Sequence, residues 1–222
     1  MTNLRHLTAR SLRLALGAAL ALAVPVTLLT PVTPAAAASD DQELEQAVSA
    51  LRSIGTMVAS FTQTDRKGQT LTGTLTLKNP GKVRFEYAKG VDMLMVSDGH
   101  ALTFVDYKVN QVQRWPIGNS PLGALLNPNR DVKQFGRVIP TGNPDVYSIQ
   151  VRIPKRPEYG VITLIFIKDA ASPGGLKLTS WVALDSQNQR TTVRLSNQRY
   201  GVAVPDSAFT FRDPRPSSHR PR

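Results

Sequence analysis

Cysteine is absent from the 222-residue chain, and histidine occurs only three times. The lack of cysteine excludes a disulfide framework, a thiolate metal site and a cysteine nucleophile. So few histidines leave little from which to build an imidazole metal centre. The motifs of phosphate-binding loops, serine-hydrolase elbows and zinc proteases are also missing. The sequence therefore predicts a protein that is not an enzyme and uses no metal and no cofactor.

One segment invites a catalytic interpretation, because His100 follows Ser97, Asp98 and Gly99. A Ser/His/Asp site needs three side chains that converge in space, whereas the side chains of contiguous turn residues point apart. We therefore interpret the segment as a hairpin turn. A secreted hydrolase with an unrecognised site is the competing interpretation, and loss of function on substitution of His100 would support it.

Acidic residues are few relative to basic ones, 16 against 27, which gives a formal charge of +11. The basic residues do not form a run interleaved with aromatic side chains, so we do not expect nucleic acid as a partner. A positive surface of this kind is either simply solvated or steers the protein toward anionic membranes and acidic proteins.

The N-terminus has the composition of a secretory signal peptide. Arginines precede an apolar stretch at residues 14–29, and Ala36 and Ala38 fit an A-x-A cleavage site. A transmembrane anchor is disfavoured because the stretch is short and contains Pro25. We predict cleavage after Ala38, and an uncleaved N-terminus in the mass of the exported protein would contradict this.

These features divide the chain into three parts. Residues 1–38 are the predicted signal peptide, residues 39–212 form a single domain, and residues 213–222 form a basic, proline-rich tail that we expect to be disordered. The domain contains no further apolar run long enough to span a membrane. Because no cysteine follows the signal region, the mature protein cannot be lipidated there as a bacterial lipoprotein would be.

Hydrophobic periodicity distinguishes one helical region from a long series of strands. Residues 40–54 have apolar side chains at helical spacing and predict an amphipathic helix that Gly55 ends. From residue 71 onward, short alternating segments are separated by turns such as that at residues 79–81, which indicates an antiparallel meander. A second short helix is predicted within residues 116–130. The fold class is therefore mainly β (α+β), a strongly curved antiparallel sheet or partial barrel with its helices on one side.

Several short segments carry a family resemblance. They are SFTQ at residues 60–63, GTLTLKNPGKVRFEY at 73–87, LMVSDG at 94–99, FVDY at 104–107 and FTF at 209–211. Each segment alone is weak, but their order and spacing together resemble the periplasmic outer-membrane lipoprotein carrier family, the LolA family.

The resemblance implies an unclosed antiparallel β-barrel with a lid of helices over an apolar cavity. It also implies a soluble, monomeric periplasmic chaperone. Such a chaperone takes triacylated lipoproteins from an inner-membrane ABC transporter and delivers them to a receptor lipoprotein of the outer membrane. The receptor is itself lipid-anchored, so the missing lipidation cysteine favours the carrier. The alternative function is an envelope lipid- or acyl-binding sensor of the same fold that has no transfer activity.

An acyl-chain carrier needs an apolar cavity, because each buried methylene contributes about 0.8 kcal/mol. Methionine suits such a cavity since it adapts to varied contents. The candidate lining residues on the first helix, the strands and the second predicted helix are Leu44, Val48, Leu51, Leu75, Leu77, Phe85, Tyr87, Met93, Met95, Leu102, Phe104, Leu122, Leu125 and Leu126. Taken singly, each of them is better explained as an ordinary core residue than as a ligand contact, and the alternation alone does not tell which strand face is concave.

The family's K-x-P turn supplies two further expectations. A basic residue after its lysine reaches the lid and couples lid closure to loading, and Asn79 occupies that position here. The lid-latch candidates are therefore Asn79, which cannot make a charge-assisted hydrogen bond, and Arg84, which lies across the turn. If Arg84→Leu left lipoprotein transfer intact, Arg84 would be ruled out. Val83 takes the place of an apolar family residue near the cavity mouth and is the candidate for docking to the transporter.

Overall fold

One α-helix and eleven strands are found in the part of the chain that the computed structural model describes, which is residues 35–118, 123 and 134–216. Helix α1 spans Ala35–Ser53, and the strands are β1 Thr56–Thr64, β2 Thr70–Lys78, β3 Lys82–Tyr87, β4 Met93–Asp98, β5 Ala101–Asp106, β6 Gln111–Pro116, β7 Gly136–Val138, β8 Val146–Arg152, β9 Val161–Lys168, β10 Leu176–Leu184 and β11 Arg190–Tyr200. Short 3-10 turns occur at Pro157–Tyr159, Pro173–Gly175 and Asp206–Phe209.

All eleven strands belong to one sheet, in the order β6-β5-β4-β3-β2-β1-β11-β10-β9-β8-β7. Every neighbouring pair is antiparallel. Because β6 and β7 are the two ends of the order and do not pair with each other, the barrel is not closed. The predicted fold class, an unclosed antiparallel sheet with a helix on one side, is confirmed.

The helix has the predicted apolar face but different bounds. It begins at Ala35 rather than residue 40, within the alanine run that we assign to the signal peptide, and it ends at Ser53. Leu44, Val48 and Leu51 are all buried against the sheet. Residues 1–34 and nearly all of the second predicted helix lie outside the described residues, so the signal peptide stays a prediction.

The turn between β4 and β5 shows why the Ser-Asp-Gly-His segment is not a catalytic triad. The Asp98 carboxylate accepts hydrogen bonds from the backbone N–H groups of His100 and Ala101, both at 2.8 Å. The Ser97 hydroxyl donates to the carbonyl oxygen of Gly81 at 2.7 Å. These side chains stabilise a turn, as the hairpin interpretation expects.

The two faces of the sheet carry separate apolar clusters. The large cluster lies on the concave face, under α1, and includes Leu75, Phe85 and Phe166. A small cluster on the opposite, convex face is built from residues of β4 and β5 with Phe209 from the C-terminal segment. The alternation of side chains along a strand produces both clusters from the same strands.

Candidate functional site

A cavity of about 350 Å³ lies between α1 and the concave face of the sheet. It is lined by Leu51, Met57, Gln63, Leu75, Leu77, Val83, Phe85, Met95, Leu102, Ile162, Leu164, Leu178, Trp181, Ala183, Thr191 and Val193. The lining is almost entirely apolar, with Gln63 and Thr191 as its polar members. Both halves of the sheet contribute, because the central strands β1 and β11 join them.

The structure brings a subset of the predicted residues to this cavity. The predicted residues that line it are Leu51, Leu75, Leu77, Phe85, Met95 and Leu102. Three others, Leu44, Val48 and Tyr87, are buried in the surrounding core. Met93 and Phe104 are partly buried, and Leu122, Leu125 and Leu126 lie outside the described residues.

Sequence reasoning missed Met57 and Gln63 on β1 and the part of the lining that comes from β9, β10 and β11. The residues of those last three strands are Ile162, Leu164, Leu178, Trp181, Ala183, Thr191 and Val193. The alternation along these strands was visible in the sequence. What the sequence did not show was that β11 pairs with β1, which places the last strands beside the first ones.

An aromatic cluster joins the two halves of the sheet beneath the cavity. The ring of Phe61 on β1 lies 5.3 Å from that of Phe85 and 5.3 Å from that of Tyr87, edge to face in both cases. Phe85 in turn contacts Trp181 on β10 at 5.9 Å. Gly73 is necessary here, because a Cβ atom at that position would lie 2.1 Å from the carbonyl oxygen of Glu86 and 2.7 Å from the Phe61 ring.

A buried tyrosine holds Gln63, the amide side chain among the described residues that line the cavity. The Tyr87 hydroxyl donates a 3.0 Å hydrogen bond to Oε1 of Gln63. Burial raises the pKa of Tyr87. The hydroxyl is therefore protonated at neutral pH and remains a donor.

Asn79 connects the β2–β3 turn to the end of α1. Its Nδ2 donates to the carbonyl oxygens of Ile54, Leu51 and Arg52 at 2.7, 3.1 and 3.4 Å. The last carbonyls of a helix have no partner within the helix, so a side-chain donor is favourable at this place. Oδ1 of Asn79 is buried and accepts no hydrogen bond from any described residue.

Arg84 is directed away from the helix. Its Nη1 donates to the carbonyl oxygens of Ala208 and Thr210 at 3.2 and 3.1 Å, and its Nε donates to Glu86 at 3.0 Å. Arg84 thus attaches the C-terminal segment to the convex face. Of the two latch candidates, the one that contacts α1 is Asn79.

Val83 lies in the wall of the cavity beside the β2–β3 turn. It lines the cavity and is 6% exposed. In this conformation its side chain is therefore covered.

Within residues 35–118, 123 and 134–216, no three acidic or histidine side chains form a group that could hold a metal ion. None of the helices in the same residues is long and apolar enough to cross a membrane.

Comparison with known proteins relates the chain to a family of carriers. Residues 52–212 match the family described as outer membrane lipoprotein carrier protein LolA. The outer-membrane lipoprotein carrier protein of Dechloromonas aromatica is 30% identical over 173 residues, which are 74% of this chain and 80% of that protein. The carrier protein of Xanthomonas oryzae pv. oryzae is 30% identical over 202 residues, 86% of this chain and 90% of that protein.

The solved structures that are similar to this chain include a LolA superfamily protein from Nitrosomonas europaea. It has 12% sequence identity and a TM-score of 0.45, and the match covers 78% of this chain and 97% of that one.

Proposed function

The chain belongs to the outer-membrane lipoprotein carrier (LolA) family, and on that premise we propose that it is a periplasmic chaperone, not an enzyme, that shields the acyl chains of lipoproteins. It takes triacylated lipoproteins released from the inner membrane by an ABC transporter and delivers them to an outer-membrane receptor lipoprotein.

The observation that carries the proposal is the apolar cavity between α1 and the sheet. A long acyl chain gains roughly 10 kcal/mol when its methylenes leave water, at about 0.8 kcal/mol each. Such a chain therefore leaves the membrane only if an equivalent apolar environment receives it. A carrier needs this environment and no covalent chemistry, which agrees with the lining of the cavity.

The volume of the cavity suggests that loading requires α1 to move. At about 350 Å³, the cavity is at the lower end of the roughly 300–1,000 Å³ that is usual for ligand pockets. Several acyl chains need more room than that. We therefore regard this conformation as the closed one and α1 as the lid.

Among the polar contacts of α1, two connect it to the sheet at separate points. Asn79 binds the carbonyls at the end of α1, and the Tyr147 hydroxyl on β8 donates to Oε1 of Gln46 at 2.9 Å. Both are neutral hydrogen bonds, each worth about 0.5–1.5 kcal/mol net. At these two points, hydrogen bonds of this strength let the gain from acyl burial drive opening. A charged residue in place of Asn79 would hold the lid more tightly.

Docking to the transporter at Val83 depends on the same movement. Because Val83 is covered in the closed conformation, it becomes accessible only when α1 withdraws. In the proposed order of events, contact with the transporter at Val83 and opening of the cavity therefore occur together.

A release assay tests the proposal directly. The mature protein is added to spheroplasts that synthesise a labelled lipoprotein, and the supernatant is analysed for a soluble complex. We expect ATP-dependent release with the natural sequence, and much less release with Ala183→Phe, which places a large side chain in the cavity lining. If the protein takes up a fluorescent fatty acid yet releases no lipoprotein, the alternative applies, namely an acyl-binding sensor of the envelope.

A further inference from the structure

The cavity is apolar at one end and polar at the other. Next to α1 and the β2–β3 turn, its wall is formed by Met57, Leu77 and Val83. Gln63 and Thr191 lie at the opposite end, where β1 finishes and β11 begins. The two polar side chains of the lining are thus together, away from the lid.

Strand register places Gln63 and Thr191 side by side on the concave face. Gln63 is directly opposite Val193 in the β1–β11 ladder, and Thr191 is two residues from Val193 on the same strand. Side chains two residues apart in a strand point to the same face. Thr191 is therefore the diagonal neighbour of Gln63 across the two strands, and a side chain as long as glutamine can reach a diagonal neighbour.

Both polar groups have hydrogen-bonding capacity that the described residues do not use. Oε1 of Gln63 is occupied by the Tyr87 hydroxyl, which leaves the amide N–H groups of Gln63 as donors. Neither those N–H groups nor the Thr191 hydroxyl bonds to any residue in the described part of the chain. A polar group that is removed from water without a partner is unfavourable, so an occupant that fills this end should supply an acceptor.

We propose that Gln63 and Thr191 form a subsite for the carbonyl oxygen of an acyl ester, so that the chain lies with its ester at the polar end of the cavity and its terminal methyl toward α1. The inference rests on the proposed function and adds the direction of the chain. An ester carbonyl is a hydrogen-bond acceptor and offers no donor, which matches the amide N–H groups and the hydroxyl. Tyr87 is a positioning residue, since it fixes which end of the Gln63 amide faces the ligand.

A pair of ligands that differ in one carbonyl oxygen tests this. The mature protein is loaded with 11-(dansylamino)undecanoic acid, and the probe is displaced by 1-monolauroylglycerol or by 1-O-dodecylglycerol, its ether analogue. We expect the ester to bind roughly 2- to 10-fold more tightly than the ether. A ratio of this size corresponds to the gain from one or more neutral hydrogen bonds. Equal affinities would overturn the inference and leave the proposed function standing. Failure of the probe and both lipids to bind would overturn both.

Variants locate the effect at the subsite. In Gln63→Leu and in Thr191→Val, the preference for the ester should fall toward 1, whereas binding of the ether should stay the same or strengthen. Gln111→Leu, at an exposed glutamine on β6, is the matched control and should keep the full preference. An unchanged preference in both subsite variants would contradict the assignment. Because Gln63 and Thr191 lie on different strands, the test remains valid if one of the two variants does not fold.

Discussion

The two faces of strands β3–β5 are both apolar, but only one of them is filled by the chain itself. On the convex face, Leu94, Val96 and Val105 are covered by Phe209, which is 5% exposed. On the concave face, residues of the same strands such as Met95 and Leu102 border the cavity of about 350 Å³ and are only partly buried.

The convex cluster is closed by a segment that follows the last strand. Lys78 and Lys82 both form ion pairs with Asp206, at 2.8 and 3.0 Å, and Arg84 binds the carbonyls of Ala208 and Thr210. These polar contacts are partly exposed and so contribute little. The principal stabilisation comes from burial of an aromatic ring, about 1.5–3 kcal/mol.

The difference between the two faces separates structure from function. The cavity on the concave face is partly open, so it differs from a void sealed inside a packed core. The convex face shows that this chain can fill an apolar surface with its own residues. In the proposed function, the concave space is the room that an acyl chain occupies.

The largest effect on stability is expected at the convex face. Phe209→Ala should lower the free energy of unfolding by about 3–5 kcal/mol, because it removes a buried ring and leaves a cavity. Phe104→Ala, at a partly exposed phenylalanine of β5, is the matched control and should cost clearly less. Urea denaturation measures both, and equal costs would contradict the distinction between the faces. Fatty-acid binding by the folded fraction of Phe209→Ala should remain normal.

A larger side chain in the concave cavity should lower ligand affinity and leave stability intact, which is the opposite of the effect of Phe209→Ala. Ala183→Phe occupies space that about four methylenes of a ligand would use, so fatty-acid affinity should fall by roughly 3 kcal/mol, about 100-fold. Stability should be unchanged or increased, since the new ring enters existing space rather than a packed core. Probe titration and thermal unfolding give the two quantities. Ala183→Ser is the control, and a large loss of stability in Ala183→Phe would show that the volume is not open to occupation.

Asn79 should affect both the stability and the behaviour of the lid. Asn79→Ala removes the donors to the carbonyls of Leu51 and Ile54, so stability should fall by about 1–3 kcal/mol. Acyl uptake should become faster, because α1 is held less firmly. Asn79→Arg should instead slow uptake, since a charge-assisted bond is stronger. Stopped-flow fluorescence with the fatty-acid probe measures the rates, and identical rates in all three proteins would exclude Asn79 as the latch.

The smallest effect is expected at the ion pairs of the convex face, and it depends on pH. Hydrogen bonds from Lys78 and Lys82 lower the pKa of Asp206 below its ordinary value of 3.8. A carboxylate with a lowered folded-state pKa adds stability above its unfolded pKa and loses it as the pH falls through the folded pKa. Asp206→Asn should therefore be slightly less stable at pH 7 but no less stable at acidic pH well below 3.8. A difference that persisted at low pH would assign the effect to packing.

Sequence patterns predicted the secondary-structure elements whose conformation is decided by residues close together in the chain. The apolar spacing of residues 40–54 predicted the main part of α1. The turn at residues 79–81 is a true β2–β3 hairpin turn in which Gly81 has a φ of 72°, a conformation that glycine adopts without strain. Strand β1 was not assigned from periodicity, because Met57, Val58 and Ala59 are all apolar and give weak hydrophobic contrast between its two faces.

The sequence by itself determined the antiparallel meander, the apolar face of α1 and the family to which the chain belongs. Those features depend on composition, on periods of 2.0 and 3.6 residues, and on motifs that are short in sequence. Only the tertiary structure decided which strand face is concave, that Asn79 and not Arg84 contacts α1, and that Gln63 and Thr191 meet at one end of the cavity. The last of these facts depends on the pairing of β1 with β11, strands about 130 residues apart in sequence. Alternation within one strand carries no information about its distant partner.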